Sequence, residues 1–414
     1  MKKIILIISV LSIVFSACVD EKYYKESSKC DIVSFEISGQ ISNKITIKED
    51  TSLVEVGIPI SLSLNNLKIN SFEISPLAKS DRDYNSIKDF SSDVFIRIIA
   101  EDGITTKLWK IKVFYQDAPL QLAYSDMKKW TIAKDENGAE IKIGNLYAYF
   151  PGEENQYSPW QCAARANVLT GFFSVNPKPS VENPLYASME TKTYGLGAMM
   201  HSAIVAGALF TGKFIFDQNH LPVIGSDPNP RKMINFGTPF YKKPVGVKFK
   251  MRYKAGEIMR DGDNQPIIYP DAQNRPTKDS CEIYFILQNR ESDSSKYYRI
   301  ATAWLRTSEE IGSFDSEDGF VEMQLPFIYG KPDNQTLIEK PYMNIGGVRG
   351  ELVFYKFSFN GSSYNKTAVE EQYSTDNNMG VDNIIAVFSS SAYGDLFYGA
   401  PDSKLDIKDI EFIY

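Results

Sequence analysis

Short runs in which apolar and polar residues alternate, separated by turn residues, recur along the chain. Val33, Phe35 and Ile37 alternate, as do Ile45 and Ile47, Val94, Ile96 and Ile98, and Trp109, Ile111 and Val113. A period of two with one apolar face predicts half-buried strands. Between the last two runs lies Ala100-Glu101-Asp102-Gly103-Ile104, whose glycine suits a positive φ, so a hairpin closes a first domain at 30–116. Trp109, inside that terminal strand, reads as core, a ligand platform being the other reading. Gln116 to Pro119 cannot continue a central strand and forms a boundary. Further strands are expected at 141–150, 171–175, 203–216, 245–253, 282–288, 297–304, 319–325, 350–359, 383–389 and 405–413. They predict a second, larger all-β domain at 119–414, although 199–209 can also be read as a short helix. Ala206 to Gly256 looks like two sheet strands bridged by a long Pro/Asn/Asp-rich loop.

Composition agrees with that architecture. The chain has 414 residues, 43% hydrophobic and 13% aromatic, enough for two domains with cores of their own. Its 24 Tyr and 25 Phe favour sheet over helix. Lys2 and Lys3, an apolar run from Ile4 to Phe15 and the small residues Ser16-Ala17 before Cys18 predict a signal peptide at 1–17, too short to span a bilayer. Net charge is −7, and losing the two leader lysines makes it −9. Nucleic acid is therefore an unexpected partner.

Phe15-Ser16-Ala17-Cys18 resembles a bacterial lipobox, which implies that Cys18 carries the lipid and that 18–29 is a tether. Asp20 and Glu21 resemble the export signal of Bacteroidetes lipoproteins, implying an outer-membrane protein facing the cell exterior. The AEDG turn followed by LWKIKVFY resembles Ig-like modules near such anchors, implying an Ig-like β-sandwich that acts as a spacer. AGALFTGKF at 206–214, FGTPF at 236–240 and MRYKAGE at 251–257 resemble the putative carbohydrate-metabolism domain of Bacteroidetes surface lipoproteins. That resemblance implies a jelly-roll-like β-sandwich similar to carbohydrate-binding modules, with a glycan or polysaccharide as ligand and other proteins of a polysaccharide-utilisation system as partners. The segment from Gly346 to Met379 departs from the family pattern.

Only His201 and His220 are present, with no HExxH pair, CxxC or GxSxG, so zinc hydrolysis and Ser-His-Asp catalysis lack their parts. No phosphate or dinucleotide loop occurs either. Cys30, Cys162 and Cys281 read as buried free thiols, a Cys162–Cys281 bridge being the other reading.

Sugar binding calls for flat apolar faces bordered by groups that bond hydroxyls. Trp160, in a loop-like Tyr157-Ser158-Pro159-Trp160-Gln161 stretch with Arg165 and Asn167 close behind, is either such a platform or a lid on the core. On 282–288, Ile283, Phe285 and Leu287 point one way and Glu282, Tyr284, Ile286 and Gln288 the other. The second face is either a sugar groove or a solvated surface. Lys248, Lys250 and Arg252 raise the same choice, and Trp304 is a further stacking candidate. The pattern Ser403, Leu405, Asp409 resembles the closing strand of carbohydrate-binding sandwiches. It implies a structural Ca²⁺ at Asp406 and Asp409, or else a solvated strand edge; no other cofactor is expected. The leading expectation is a non-catalytic glycan-binding lipoprotein. The alternatives are a paired-carboxylate glycoside hydrolase, with Glu282 the first acid to test, and a protein-binding adhesin or scaffold.

Overall fold

The computed structural model describes residues 25–41, 45–59, 62, 64, 66–90, 93–116, 118–135, 138–154, 156–215, 230–268, 276–290, 296–347, 352–359, 364–376 and 378–414. The leader and Cys18 lie outside the described residues. The chain divides into two compact units, Met1–Gln116 and Asp117–Tyr414.

In the first unit, Ile32–Ile37 pairs antiparallel with Ile69–Ile74. A five-stranded sheet orders Ile45–Lys48, Leu53–Ile58, Thr106–Tyr115, Val94–Ile99 and Lys79–Ser80, its second and third strands running parallel. The alternating residues become the core: Phe35, Val54, Val56, Ile96, Ile98 and Ile111 are all buried. Trp109 joins them, its indole donating to the Cys30 carbonyl at 3.0 Å. At the closing hairpin Gly103 has φ +66° and the Asp102 carboxylate accepts from the Ile104 and Thr105 amides. Glycine is suited to that backbone.

The main strands of the second unit are β1 Trp160–Cys162, β2 Val175–Pro179, β3 Pro184–Glu190, β4 Ala208–Phe214, β5 Gly246–Lys254, β6 Cys281–Asn289, β7 Lys296–Thr307, β8 Val321–Pro326, β9 Phe354–Phe359, β10 Tyr364–Tyr373, β11 Asn383–Ser389 and β12 Lys404–Ile413. They form a larger sheet ordered β1-β4-β11-β6-β7-β10-β9 and a smaller one ordered β2-β3-β12-β5-β8. The smaller sheet is antiparallel throughout, while β7 and β10 pair in parallel. The two sheets face each other across one core, so this unit is a β-sandwich. Phe285 of β6 sits among Phe249, Phe327, Phe388 and Phe412, ring centroids 5.5 to 6.5 Å away and mostly edge-on. Burying one such ring contributes roughly 1.5–3 kcal/mol.

Several expectations change in detail. Strands β4 and β5, read together in the sequence, lie in opposite sheets. The alternative helix at 199–209 is replaced by a 3-10 turn at Gly195–Met200 and the short strand Ile204–Val205. The run expected at 171–175 starts at Val175, after a 3-10 turn and the left-handed Gly171. β1 replaces a loop, and β3 and β10 lie outside the expected runs: β3 opens on a proline before its short Leu185, Ala187, Met189 alternation, and β10, Tyr-Asn-Lys-Thr-Ala-Val-Glu-Glu-Gln-Tyr, has no apolar alternation. The segment that departs from the family pattern supplies the β9–β10 hairpin.

Candidate functional site

The alternation predicted for β6 holds, but both of its faces are buried. Ile283, Phe285 and Leu287 enter the core between the sheets. Tyr284 and Ile286 enter a second apolar cluster with Phe210, Phe236, Trp304, Met343, Leu352 and Phe354. Neither the open groove nor the solvated face expected at Glu282, Tyr284 and Gln288 exists, because chain from distant positions covers them. Gln288 is fully buried, donating to Glu371 Oε1 at 2.6 Å and accepting from Arg290 Nε at 2.9 Å. Trp304 is 4% exposed, stacks on Tyr284 with centroids 4.3 Å apart, and donates to Glu282 Oε1 at 3.2 Å. Trp160 is no loop platform either: it is fully buried in β1 and its indole donates to the Ala123 carbonyl at 2.9 Å. Arg165, on the short helix Ala164–Asn167, pairs with Asp135.

Three of the expected residues do meet. Asn167, Glu282 and Tyr284 line a cavity of about 220 Å³ with Arg231 and Asp395. Glu282 accepts from Arg306 Nε at 2.8 Å and also from Arg306 Nη2. Asp395 pairs with Arg231 at 2.7 Å, and Arg231 Nη2 donates to the Tyr284 hydroxyl at 3.2 Å. Burial pushes the Glu282 carboxyl above its ordinary range while Arg306 pulls it back. Burial also pushes the Tyr284 hydroxyl up to about 12. Two carboxylates at one cavity resemble the acid pair of a hydrolase, but each is held by a guanidinium, and a carboxylate so held is a poor proton donor. Much of the remaining wall is alanine, phenylalanine, methionine, isoleucine and valine, which offers sugar hydroxyls few partners.

Calcium does not fit the residues expected to hold it. Asp406, fully buried, faces Arg252 at 2.8 Å, and Asp409 faces Lys250 at 3.1 Å. A cation would have to displace both bases and find further oxygens. Among the described residues, no group of three or more His, Cys, Asp or Glu side chains is placed to hold a metal. Ser403 is engaged elsewhere. Together with Ser391 and the Ala400 amide it donates to the buried Asp279 carboxylate at 2.6 to 2.8 Å, tying the segment before β12 to the edge of β6. Cys30, Cys162 and Cys281 are free and buried.

A different place has the mixed chemistry that sugar binding needs. A cleft of about 270 Å³ is lined by Tyr147, Phe172, Asn176, Lys178, Glu190, Lys192 and Lys404, among others. Tyr147 and Phe172 are half-buried, so part of each ring faces solvent. Lys192 lies 5.6 Å from the Phe172 ring centre and 3.1 Å from Glu190. Apart from Lys192, on the short strand Lys192–Thr193, the polar residues come from the outward positions of β2, β3 and β12: Asn176 lies opposite Ser188, and Glu190 opposite Lys404. Their inward neighbours Val175, Met189 and Leu405 belong to the core, which fixes which way the cleft residues point. Tyr147 and Phe172 fall in the runs expected at 141–150 and 171–175, and Lys404 opens the strand expected at 405–413, but nothing in the sequence brings these runs together. The cleft's rings lie on Leu146–Tyr147 and in the turn before β2, where they pass as ordinary aromatics beside the more conspicuous Trp160.

A family model described as "Putative carbohydrate metabolism domain" matches residues 125–346, more than half of the chain. A crystal structure from Bacteroides thetaiotaomicron, described as a putative glycoside hydrolase, is 21% identical, covering 94% of this chain and 98% of that one with a TM-score of 0.42. One from Bacteroides vulgatus with the same description is 20% identical, covering 64% and 90%, TM-score 0.38. A structure described with carbohydrate-binding modules of the β-sandwich superfamily is 7% identical, covering 94% and 100%, TM-score 0.22. At such scores these likenesses carry no weight for function. No curated protein matches the chain.

Proposed function

The chain belongs to the putative carbohydrate metabolism domain family, and on that premise we propose that its second unit binds a glycan in the Tyr147–Phe172 cleft without turning it over. The observation that carries the reading is the cleft's composition: two part-exposed aromatic rings beside an amide, a carboxylate and three ammonium groups. Rings of this kind stack on the C–H faces of a pyranose while the polar groups bond its hydroxyls. In this reading Cys18 carries lipid, the protein sits on the outer face of the outer membrane, and an Ig-like first unit spaces the sandwich from the surface.

Glycoside hydrolysis is the second reading, favoured by the one cavity that Glu282 and Asp395 share. The arginines on both acids argue against it. One experiment separates the two: pull-down of the chain from Val19 onward on a polysaccharide panel, then prolonged incubation of each hit with product analysis. Binding without products is expected. Oligosaccharide release that disappears in Glu282→Gln would establish the hydrolase, and absence of binding would turn the search to protein partners.

A further inference from the structure

The cleft opens on the outer face of the smaller sheet, and that face runs against the charge of the chain. Overall, 45 basic residues oppose 52 acidic ones. Yet the outward positions of β5 are Lys248, Lys250, Arg252 and Lys254, alternating with the core residues Val247, Phe249, Met251 and Tyr253. β12 adds Lys404 and Lys408. The register sets Lys250 directly opposite Lys408, and Lys254 directly opposite Lys404. Like charges directly opposite on paired strands repel, although Lys250 also has Glu322 opposite it on β8.

Some of these bases are answered locally. Lys248 meets Glu411 at 2.9 Å, Lys250 meets Asp409 at 3.1 Å, and Arg252 meets Asp406 at 2.8 Å. Others are not. Among the described residues, no carboxylate forms an ion pair with Lys178, Lys254 or Lys408, and the carboxylate that Lys404 interacts with, Asp406, is already held by Arg252. Lys404 and Lys408 lie instead over Phe314 and Phe320, 5.2 and 4.2 Å from the ring centres. In the cleft, Lys178, Lys192 and Lys404 face one acid, Glu190, which Lys192 already engages.

We infer that the cleft and the lysine row beside it bind a negatively charged glycan, one bearing uronate carboxylates or sulfate esters. Tyr147 and Phe172 lie against ring faces, and Lys178 and Lys404 take the anionic groups. This rests on the glycan-binding reading of the same cleft. An ammonium bonded to a carboxylate or sulfate forms a charge-assisted bond, whereas a neutral sugar would desolvate the same ammonium for a weaker one. Since the chain as a whole repels polyanions, selection comes from this face alone and is screened by salt.

The test uses the chain lacking only residues 1–18 against uronate-bearing and sulfated polysaccharides, each beside its carboxyl-reduced or desulfated form. The anionic form is expected to bind roughly tenfold tighter, less so at high ionic strength. Lys178→Gln and Lys404→Gln should each lower that affinity about threefold, and Lys331→Gln, at an exposed lysine of the same unit outside the cleft, should not. Thermal unfolding confirms that each variant is folded. The two kinds of neutralised partner separate carboxylate from sulfate as the group recognised. Equal binding of charged and neutral forms, unmoved by the lysine variants, would overturn the inference and leave the glycan reading standing. Binding to no polysaccharide would overturn both, and capture by single-stranded DNA or anionic phospholipid vesicles in place of sugars would also refute the inference.

Discussion

Asp279 gives the sharpest test of the packing that holds β12 and its preceding turn in place. Its Oδ2 accepts from Ser391 Oγ, Ala400 N and Ser403 Oγ, and Oδ1 from Ser280 N. Burial nevertheless dominates, and the carboxyl is pushed up to about 6. An unfolded Asp titrates near ~3.9. The folded value is thus the higher one, and between the two the folded state binds the proton more tightly. Stability from this group is complete below the unfolded value and is lost as pH rises through the folded one. A difference of about two pH units corresponds to about 3 kcal/mol. Asp279→Asn removes the titration and turns an N–H donor toward one of the fixed backbone amides, a mismatch of about 1–3 kcal/mol at any pH. Urea denaturation of both proteins from neutral pH to about pH 4 isolates the residue, since other carboxylates cancel in the difference. The wild type should gain about 3 kcal/mol on the variant as pH falls across that range. A difference that stays flat, or one that moves the other way, would show that the four hydrogen bonds outweigh burial and refute the reasoning.

Trp160→Ala should cost about 3–5 kcal/mol in chemical denaturation, because the ring is fully buried in the core; a loss under about 1 kcal/mol would return Trp160 to the surface. Glu282→Gln should lower stability by about 3 kcal/mol by leaving the largely buried Arg306 without its anion, yet leave glycan affinity unchanged in the folded protein. Burial pushes the Cys162 thiol up to about 12 and raises Cys281 as well, so a disulfide-exchange reagent should label neither in the native chain and both in denaturant. Rapid native labelling would contradict their burial.

The strands that sequence reading places well are those whose burial is one-sided. Ile96 and Ile98 sit in the core as their alternation implies, and so do Phe35 and Ile37. Val33 is exposed, because an irregularity in the pairing between Ile32 and Ser34 shifts the alternation by one. β6 shows where the signal ends. Its apolar set is legible, but the fate of Glu282, Tyr284 and Gln288 depends on Phe210, Phe354, Arg306 and Glu371, drawn from elsewhere in the chain. A polar residue on an alternating strand looks the same whether water or a buried partner answers it. The tryptophans mislead for a related reason: their size suggests a platform, yet indole donors satisfied by Ala123 and Glu282 let both be interior. The cleft is illegible because its members are brought together by the β2-β3-β12 register. The basic alternation of Lys248, Lys250 and Arg252 on the neighbouring β5 shows the lysine row beside the cleft, not the cleft itself.

The central claim is that sugar is held at the Tyr147–Phe172 cleft and not at the cavity behind Glu282. Its most direct test is the affinity of Phe172→Ala for the polysaccharide that the wild type captures, with thermal unfolding measured alongside. The ring supplies stacking that an alanine cannot, so affinity should fall roughly tenfold with the unfolding temperature little changed. Unchanged affinity in Phe172→Ala, together with lost affinity in a folded Glu282→Gln, would place the ligand in the other cavity and contradict the account.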